Sequence, residues 1–427
     1  MRSYRKTWTA ALLATAVLAV TAACGGSGGG ETADGKVKLR FSYWGSDARQ
    51  KMTEEAIRKF EAKNPAIDVE GEFSDFPSYY ETLSTKVAGG DAPDVITLEI
   101  RALREYADRG TLADLTGKVG TADLDAKVLT TGAIDGKQFA IPTGVNAYAV
   151  LANPGLVEEA GLELPDDSAW TWDDFVELCS TVTADSGGKV MGTQLAWNPA
   201  YLQIYAAQKG EKLYDGNKLG VSPQTMKDWW AITQKLISAK GSPDAAKSSE
   251  IYDNGIEQTL IGTNTGAMAM AWTNVLGTAA KVSGRPLELL RMPKLAGAAT
   301  GGMFLQPAMF YTASATSEHP AEAAKFIDFM INDPEAGAVI LSDRGLPASS
   351  KVLASVEGKL PEADRKAKAF VEEIRGELAD PPAAPPKGSS DMENLIKRYS
   401  EEVVFERMSP DDVAQKFIAE ANTMIAG

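Results

Sequence analysis

The fold is decided by the stretch VKLRFSYWGSD, residues 37–47. Apolar and polar residues alternate up to Phe41, which is the period of a half-buried β-strand. Gly45 and the polar residues after it predict that the chain then enters a helix. Trp44 therefore stands at the carboxyl end of a first strand, where open α/β sheets hold their ligands. Position alone leaves two alternatives for this indole, a ligand platform or a core residue.

The segment before this strand predicts export. A positively charged start, an apolar run over residues 10–20 and small residues up to Ala23 indicate a signal peptide over residues 1–23. Its end resembles a bacterial lipoprotein signal, in which a cysteine after small residues carries lipid; Cys24 fits, although Thr21 stands where Leu is usual. We predict a lipid anchor on Cys24 and a flexible tether over residues 24–35, outside the cytoplasmic membrane. Cleavage by an ordinary signal peptidase is the alternative.

Composition agrees with an exported protein. The formal charge is −15, and removal of residues 1–23 takes away three basic residues and no acid, which makes it −18. This charge argues against nucleic acid and anionic lipid as partners. The two cysteines are Cys24 and Cys179. A lipidated Cys24 leaves no disulfide within the chain, and the apolar helical pattern around Cys179 predicts a buried thiol.

Strands and helices alternate after the first strand. A helix ends at Asn64, a strand begins at Ile67, and residues 78–81 read as a capping box that starts the next helix. A short apolar strand then ends before Glu99, and a helix follows from Arg101. This alternation predicts a largely parallel sheet with helices on both faces. The roughly 400 residues after the signal suffice for two lobes.

Several blocks occur in one order: NPAIDVEGEF, SYYETLSTKVAGGDAPDVITLE, and, further on, PAEAAKFIDFMINDPEA. In these blocks the chain resembles the extracellular solute-binding proteins of ABC importers, and more narrowly their carbohydrate-binding branch, which includes maltose-binding protein. The resemblance runs from about Val37 to about Pro347. Beyond that point the chain resembles the family only in being helical.

The resemblance implies the fold class and the partners. We expect an α/β, two-lobed, periplasmic-binding-protein-like fold of type II, with hinge-linked lobes and a helical C-terminal part. The chain would cross between lobes at residues 141–146 and 301–307, so that residues 36–145 and 302–350 form the first lobe and residues 146–301 and 351–427 the second. A sugar would bind between the lobes, close the hinge and be passed to the membrane permease. We expect a monomer without a cofactor.

Sugar chemistry selects the aromatic candidates. Sugars present C–H faces and hydroxyl rims, so a site needs flat apolar rings beside fixed donors and acceptors. Trp44, Trp197 and Trp272 lie near loops or strand ends and are candidate stacking platforms. Trp229 and Trp230 fall within a predicted helix, where core packing is expected. Three platforms would favour a di- or oligosaccharide over a monosaccharide.

Carboxylates are the strongest acceptors for sugar hydroxyl groups. Asp75 and Glu99 follow the second and third strands, and the resemblance implies that acids at these strand ends contact the ligand. A solvated loop charge is the alternative for each. Two further candidates, Asn146 and Asn274, are amides that can donate and accept at once. Arg49 and Arg344 could donate to ring and hydroxyl oxygens, and for each of them the role of an ordinary helix or loop cation is equally open.

Two other classes of function remain open. Paired carboxylates beside aromatic residues would also suit a secreted glycoside hydrolase. Against an enzyme, His319 is the only histidine, which argues against catalytic triads and histidine-rich metal sites, and the sequence has no phosphate-loop GK[ST]. The second alternative is a binding protein for another solute, such as a peptide, a polyamine or glycerol phosphate.

Overall fold

A computed structural model of the protein describes residues 35–426. The predicted signal peptide, Cys24 and nearly all of the predicted tether lie outside this range. Among the described residues, every helix is too short or too polar to cross a membrane. The strands, numbered in chain order, are β1 (Val37–Trp44), β2 (Ile67–Ser74), β3 (Val95–Leu98), β4 (Ala133–Ile134), β5 (Lys137–Gln138), β6 (Ala140–Pro142), β7 (Gly144–Ala152), β8 (Met191–Thr193), β9 (Gly266–Trp272), β10 (Glu288–Leu290), β11 (Leu305–Pro307), β12 (Phe310–Ala313) and β13 (Leu346–Pro347).

Helices fill the connections and most of the C-terminal part. They are α1 (Asp47–Lys63), α2 (Phe76–Ala88), α3 (Ile100–Asp108), α4 (Ala126–Thr130), α5 (Pro154–Glu159), α6 (Trp172–Asp185), α7 (Pro199–Gln208), α8 (Pro223–Ser238), α9 (Ala245–Tyr252), α10 (Leu276–Ser283), α11 (Pro320–Asn332), α12 (Pro334–Ile340), α13 (Ser350–Val356), α14 (Glu362–Ile374), α15 (Met392–Val404) and α16 (Pro410–Ala426). Polar caps begin many of them, as Ser46 does for α1 and Asn198 for α7, where each side chain accepts a backbone N–H of the first turn.

The first sheet has the strand order β2-β1-β3-β12-β6. Strand β1 runs parallel to β2 and β3, and β12 is antiparallel to both of its neighbours. Four of the five strands therefore run in one direction, but only two of the four strand pairings are parallel, so the prediction of a largely parallel sheet holds for β1, β2 and β3 alone. The parallel strands β1, β2 and β3 bring their carboxyl ends, at Trp44, Ser74 and Leu98, to one edge.

The second sheet has the order β10-β7-β9-β8, with β11 and β13 also paired to β7. Strand β7 is buried along its whole length, since β11 and β13 cover its first residues and β9 and β10 its later ones. The molecule thus has two α/β lobes, each built on its own sheet, which confirms the predicted fold class.

The chain crosses between the sheets at Thr143, inside the predicted segment 141–146, and again between β11 and β12, directly after the predicted segment 301–307. Only Thr143 separates β6 from β7, and its backbone N–H donates to the carbonyl of Met309 (3.0 Å), which lies on the return from β11 to β12. Ala308 donates to the carbonyl of Gly144 (2.9 Å). A Cβ at Gly144 would come within 2.2 Å of the Arg344 carbonyl oxygen, so the close approach of these segments requires glycine.

The C-terminal helices pack on the second sheet's side of the molecule. The Trp230 indole of α8 donates to Ser400 Oγ of α15 (2.9 Å), and its ring meets Phe417 of α16 at 5.9 Å between centroids. Trp229 and Trp230 are fully buried in this core, as expected of residues within a helix. On these contacts we propose the predicted division of the chain, with residues 36–145 and 302–350 in the first lobe and 146–301 and 351–427 in the second.

Two local predictions have different outcomes. Cys179 is buried and free, and burial raises the pKa of its thiol, which confirms a structural thiol. The capping box over residues 78–81 is wrong. Helix α2 begins at Phe76, because Asp75 is its N-cap and accepts the backbone N–H of Ser78 (3.0 Å).

Candidate functional site

A cavity of about 410 Å³ lies where elements of both sheets and the C-terminal segment converge. Its size falls in the range of small-molecule binding sites. The first lobe contributes the starts of α2 and α3, the second contributes the end of β9 and the start of α7, and the crossing strand β11 lies between them. The lining residues used below are Phe76, Glu99, Arg101, Asn198, Tyr214, Trp272, Phe304, Gln306 and Glu393.

The first wall is built at the carboxyl ends of β2 and β3. Phe76 opens α2 and remains 38% exposed, which is unusual for a residue of its size and leaves a flat apolar ring facing the cavity. The guanidinium of Arg101 lies over this ring, 5.5 Å from its centroid. Glu99 precedes α3, and its backbone N–H donates to Tyr80 Oη (2.9 Å), which holds the strand end in place.

Glu99 is the partly buried carboxylate of this wall. Burial raises its pKa, the ion pair with Arg101 (Nε–Oε2 2.6 Å) opposes the rise, and the negative charge of Glu393 adds to it. The two carboxylates therefore lie close enough across the cavity to influence each other. A carboxylate in such a setting accepts strong hydrogen bonds from hydroxyl groups.

The second wall is aromatic. Trp272 ends β9 and is partly buried, with its ring edge-to-face against Tyr148 (5.2 Å between centroids) and Phe304 (6.5 Å). These buried neighbours fix the indole while part of it lines the cavity. Tyr214 also lines this side, and burial raises the pKa of its hydroxyl to about 12, so it stays protonated and can donate.

The C-terminal segment closes the cavity. Asn198 caps α7 by accepting the N–H of Ala200 (2.9 Å), and its Nδ2 donates to Oε1 of Glu393 in the first turn of α15 (3.2 Å). Pro382, Pro385 and Ser390 lie on the same wall. The resemblance implied only that this part of the chain is helical, so its contribution to the cavity comes from the tertiary structure.

The structure brings two of the predicted site residues together. Glu99 and Trp272 line the cavity from opposite walls. Trp44 lies behind the first wall, which carries Phe76. It is 6% exposed, and its ring lies 4.9 Å from that of Tyr79 and 5.6 Å from that of Phe76, between centroids. Asp75 caps α2 and is not among the residues that line the cavity.

The other candidates lie apart from this cavity. Trp197 is fully buried and stacks on Tyr252 at 5.1 Å between centroids. Asn146 is buried in β7, directly opposite the cavity residue Gln306. Asn274 is exposed in the turn after β9.

The two arginine candidates lie near the crossing segments. Arg49 forms an ion pair with Asp343 (2.7 Å), and Arg344 is buried beside it. A role in ligand binding stays a prediction for all the candidates, both for Glu99 and Trp272, which line the cavity, and for those that do not: Trp44, Arg49, Asp75, Asn146, Trp197, Asn274 and Arg344.

Sequence reasoning missed the rest of the cavity lining. Phe76 directly follows Asp75, so the signal was an aromatic residue next to a predicted site residue at a strand end. Arg101 and Asn198 open helices in the same way, at loops facing the cleft. Glu393 carried no comparable signal, because nothing local connects α15 with the strand ends.

Metal chemistry has no support in the described part of the chain. Between residues 35 and 426, no three His, Cys, Asp or Glu side chains gather as a metal site would require.

Comparisons with known proteins agree with this architecture. The family model for bacterial extracellular solute-binding proteins matches residues 43–337. A diacetylchitobiose-binding protein of Streptomyces coelicolor is 24% identical over 444 aligned positions, which cover 95% of each chain. An uncharacterised lipoprotein of Streptomyces antibioticus is 26% identical over 356 positions, covering 80% of this chain and 76% of that protein.

A solved structure shows the same fold. The periplasmic oligogalacturonide-binding protein of Yersinia enterocolitica superposes with a TM-score of 0.77 at 22% identity, covering 91% of this chain and 99% of that one. The family match spans more than half of the chain and includes the strand ends and crossings that build the cavity. The protein therefore belongs to the bacterial extracellular solute-binding protein family.

Proposed function

We propose that the protein is the substrate-binding component of an ABC importer, and that it captures a di- or oligosaccharide in the interlobe cavity for delivery to a membrane permease. One observation carries the proposal: a partly exposed indole, Trp272, and a partly buried carboxylate, Glu99, face the same cavity from opposite lobes. Relatives named for lactose, diacetylchitobiose and arabinooligosaccharide support sugar as the ligand class.

The cavity lining offers aromatic rings for stacking and polar groups for hydrogen bonds. A sugar ring stacks its C–H face on Trp272, and Phe76 offers a second flat surface across the cavity. Hydroxyl groups donate to Glu99 and Glu393, while Arg101 and Asn198 donate to hydroxyl or ring oxygens. With two aromatic surfaces on opposite walls, the cavity suits more than one sugar unit.

Binding favours the closed arrangement of the lobes. A sugar that contacts both walls binds more tightly when they are close, so it shifts the equilibrium towards closure by that difference in affinity. The crossing segments around Thr143 and Met309 form the hinge of this motion. The permease then recognises the loaded, closed form.

The sugar leaves unaltered under this proposal. The alternative is a glycoside hydrolase, for which Glu99, paired with Arg101, and Glu393 would have to act as the two carboxylates. Calorimetry against a panel of plant and storage oligosaccharides, with an assay for new reducing ends in the same samples, separates the two functions. Binding without new reducing ends supports a transport protein, whereas their steady release would favour the hydrolase.

A thermal-shift screen identifies the ligand class first. A true ligand raises the melting temperature by mass action. The screen contains neutral oligosaccharides together with a peptide pool, spermidine and glycerol phosphate. A shift with the sugars that is lost in Trp272→Ala supports the proposal, and a shift with only the other solutes contradicts it.

We also propose that the protein acts outside the cytoplasmic membrane as a monomer, held there by lipid on Cys24. The lipoprotein signal in residues 1–24 and the lipoprotein of Streptomyces antibioticus support this anchor. Membrane fractionation of wild type and Cys24→Ala tests it. The wild type should sediment with membranes and the variant should be released, and equal release of both would contradict lipidation.

A further inference from the structure

Arg344 is a buried cation outside the ligand cavity. It lies between α12 and β13, is 3% exposed, and lines a small cavity together with Thr143, Tyr311 and Gly345. This cavity has a volume of about 20 Å³. A space of that size holds one particle about as large as a water molecule.

Several donors at this cavity lack partners. Nη2 of Arg344 donates to Thr53 Oγ1 (2.5 Å), but within residues 35–426 its Nε and Nη1 have no hydrogen-bond partner. The Tyr311 hydroxyl, whose ring lies 5.4 Å from the guanidinium, is also buried without a protein partner in that range. Buried polar groups are rarely left unpaired, and an arginine side chain has only donors to offer. The missing partner is therefore an acceptor.

The local charge is positive. Asp343 is engaged by Arg49, through Nε (2.7 Å to Oδ2) and through Nη2 (2.9 Å to its carbonyl), while the nearest approach of Arg344 Nε to that carboxylate is 3.9 Å. Two guanidinium groups thus share one carboxylate. Burial and the charge of Arg49 lower the pKa of Arg344 to about 9, so at neutral pH it remains a buried cation.

A second buried arginine, Arg291, has its charge neutralised by carboxylates. Arg291 is 8% exposed, yet it forms ion pairs with Asp167 (2.9 Å), Glu373 (2.8 Å) and Glu377 (3.0 Å). Its pKa is raised, because these carboxylates outweigh the effect of burial. Buried charges are normally neutralised in this way, whereas within residues 35–426 the nearest carboxylate to Arg344 is that of Asp343, at 3.9 Å.

We propose that a monatomic anion, chloride under physiological conditions, binds between Arg344 and Tyr311 beside the interlobe crossing. The unpaired N–H and O–H donors would coordinate it, and its charge would neutralise the second guanidinium. The volume of about 20 Å³ admits a halide. Since Thr143 and Gly345 also border this site, the anion stabilises the segments on which the lobes turn.

Thermal unfolding in chloride and in gluconate at constant ionic strength tests the proposal. The melting temperature should rise by about 1–2 °C for each tenfold increase in chloride above its dissociation constant. Bromide should replace chloride, and crystals soaked in bromide should show an anomalous peak between Arg344 and Tyr311. Equal melting temperatures in chloride and gluconate, or no bromide peak there, would mean that only water occupies the site.

Matched variants locate the effect. Arg344→Met should abolish the chloride dependence, and the milder Tyr311→Phe should weaken it if Arg344→Met does not fold. Arg291→Met, which removes a buried arginine already neutralised by carboxylates, should lower the melting temperature yet keep the wild-type response to chloride. A chloride response that persists in Arg344→Met, or in Tyr311→Phe at full size where the first variant is unfolded, would overturn the proposal.

Discussion

Trp44 and Trp272 are two tryptophans that each end a strand, and the molecule uses them differently. Trp44 ends β1 and is enclosed by Phe76, Tyr79 and Tyr80, at 4.9–6.1 Å between ring centroids. Trp272 ends β9, is supported from behind by Tyr148 and Phe304, and keeps part of its ring at the cavity. The strand end determines where an indole lies, but the elements packed around it determine whether a ligand can touch it.

The largest effect expected from this comparison is on stability. Trp44→Ala should lower the free energy of unfolding by about 3–5 kcal/mol, because it leaves a cavity within a cluster of aromatic rings. Trp272→Ala should lower it by about 1–2 kcal/mol, because its ring is only partly buried. Urea unfolding of both variants without ligand measures the difference, and equal losses would show that the two indoles are equally structural.

For sugar binding, the variant of Trp272 should have the larger effect and the variant of Trp44 the smaller one. Trp272→Ala should weaken the affinity for the sugar found in the screen by roughly 10- to 100-fold, which corresponds to removing an aromatic contact of about 1.5–3 kcal/mol. Trp44→Phe, which keeps an aromatic ring behind Phe76, should stay within about twofold of wild type. Calorimetry measures both values. An equal or larger loss in Trp44→Phe would place Trp44 in the binding surface.

Glu99, in the first wall of the cavity, should make the affinity for sugar depend on pH. Its pKa is raised by burial, so protonation should weaken sugar binding at a higher pH than for an exposed glutamate, with affinity falling as the pH falls towards 4.5. Glu99→Gln should lose about 1.5–3 kcal/mol of binding at pH 7 and most of this dependence.

The same raised pKa should make the unliganded protein less stable as the pH rises, which is opposite to its effect on sugar affinity. The folded state without ligand favours the protonated acid, so the contribution of Glu99 to stability is lost as the pH rises from 4.5 through its folded pKa. Calorimetry and thermal unfolding from pH 4.5 to 7 measure both effects. A sugar affinity that falls equally with pH in wild type and Glu99→Gln would assign the titration to another group.

The smallest effect concerns Phe76, which links the two regions. Phe76→Leu keeps an apolar side chain over Trp44 but removes the flat ring that faces the cavity, so it should cost about 0.5–1.5 kcal/mol of sugar binding with little change in stability. Unchanged affinity in this variant would leave Trp272 as the platform of the site, and a loss as large as in Trp272→Ala would make the two walls equivalent.

Much of the fold follows from the sequence because its rules are local. The alternation in residues 37–44 forms β1, α1 ends before Asn64 as expected, and the two crossings lie within or directly after the predicted segments. Asp75 shows the limit of such rules, since one side chain can cap a helix or contact a ligand. The structure shows it capping α2.

The candidate site follows from the sequence only in part. Glu99 and Trp272 line the cavity because strand ends of each sheet converge there. Trp197, chosen by the same reasoning, is covered by Tyr252, which lies 55 residues further along the chain. Glu393 reaches the cavity because α15 packs against α7 and α8. The residues next to Glu393 in the sequence give no sign of this contact.

The sequence by itself determined the order of strands and helices and the kinds of side chain placed at strand ends, because periodicity, capping and turn chemistry act over a few residues, while the two-lobed architecture was implied by the resemblance to a known family. Only the tertiary structure decided which of those side chains face the cavity and that the C-terminal segment forms one of its walls. It also decided that, among the described residues, Arg291 has three carboxylates within 3.0 Å while Arg344 approaches one only to 3.9 Å. The reason is physical: burial and charge pairing depend on residues far apart in the chain, whose meeting is set by the packing of whole elements.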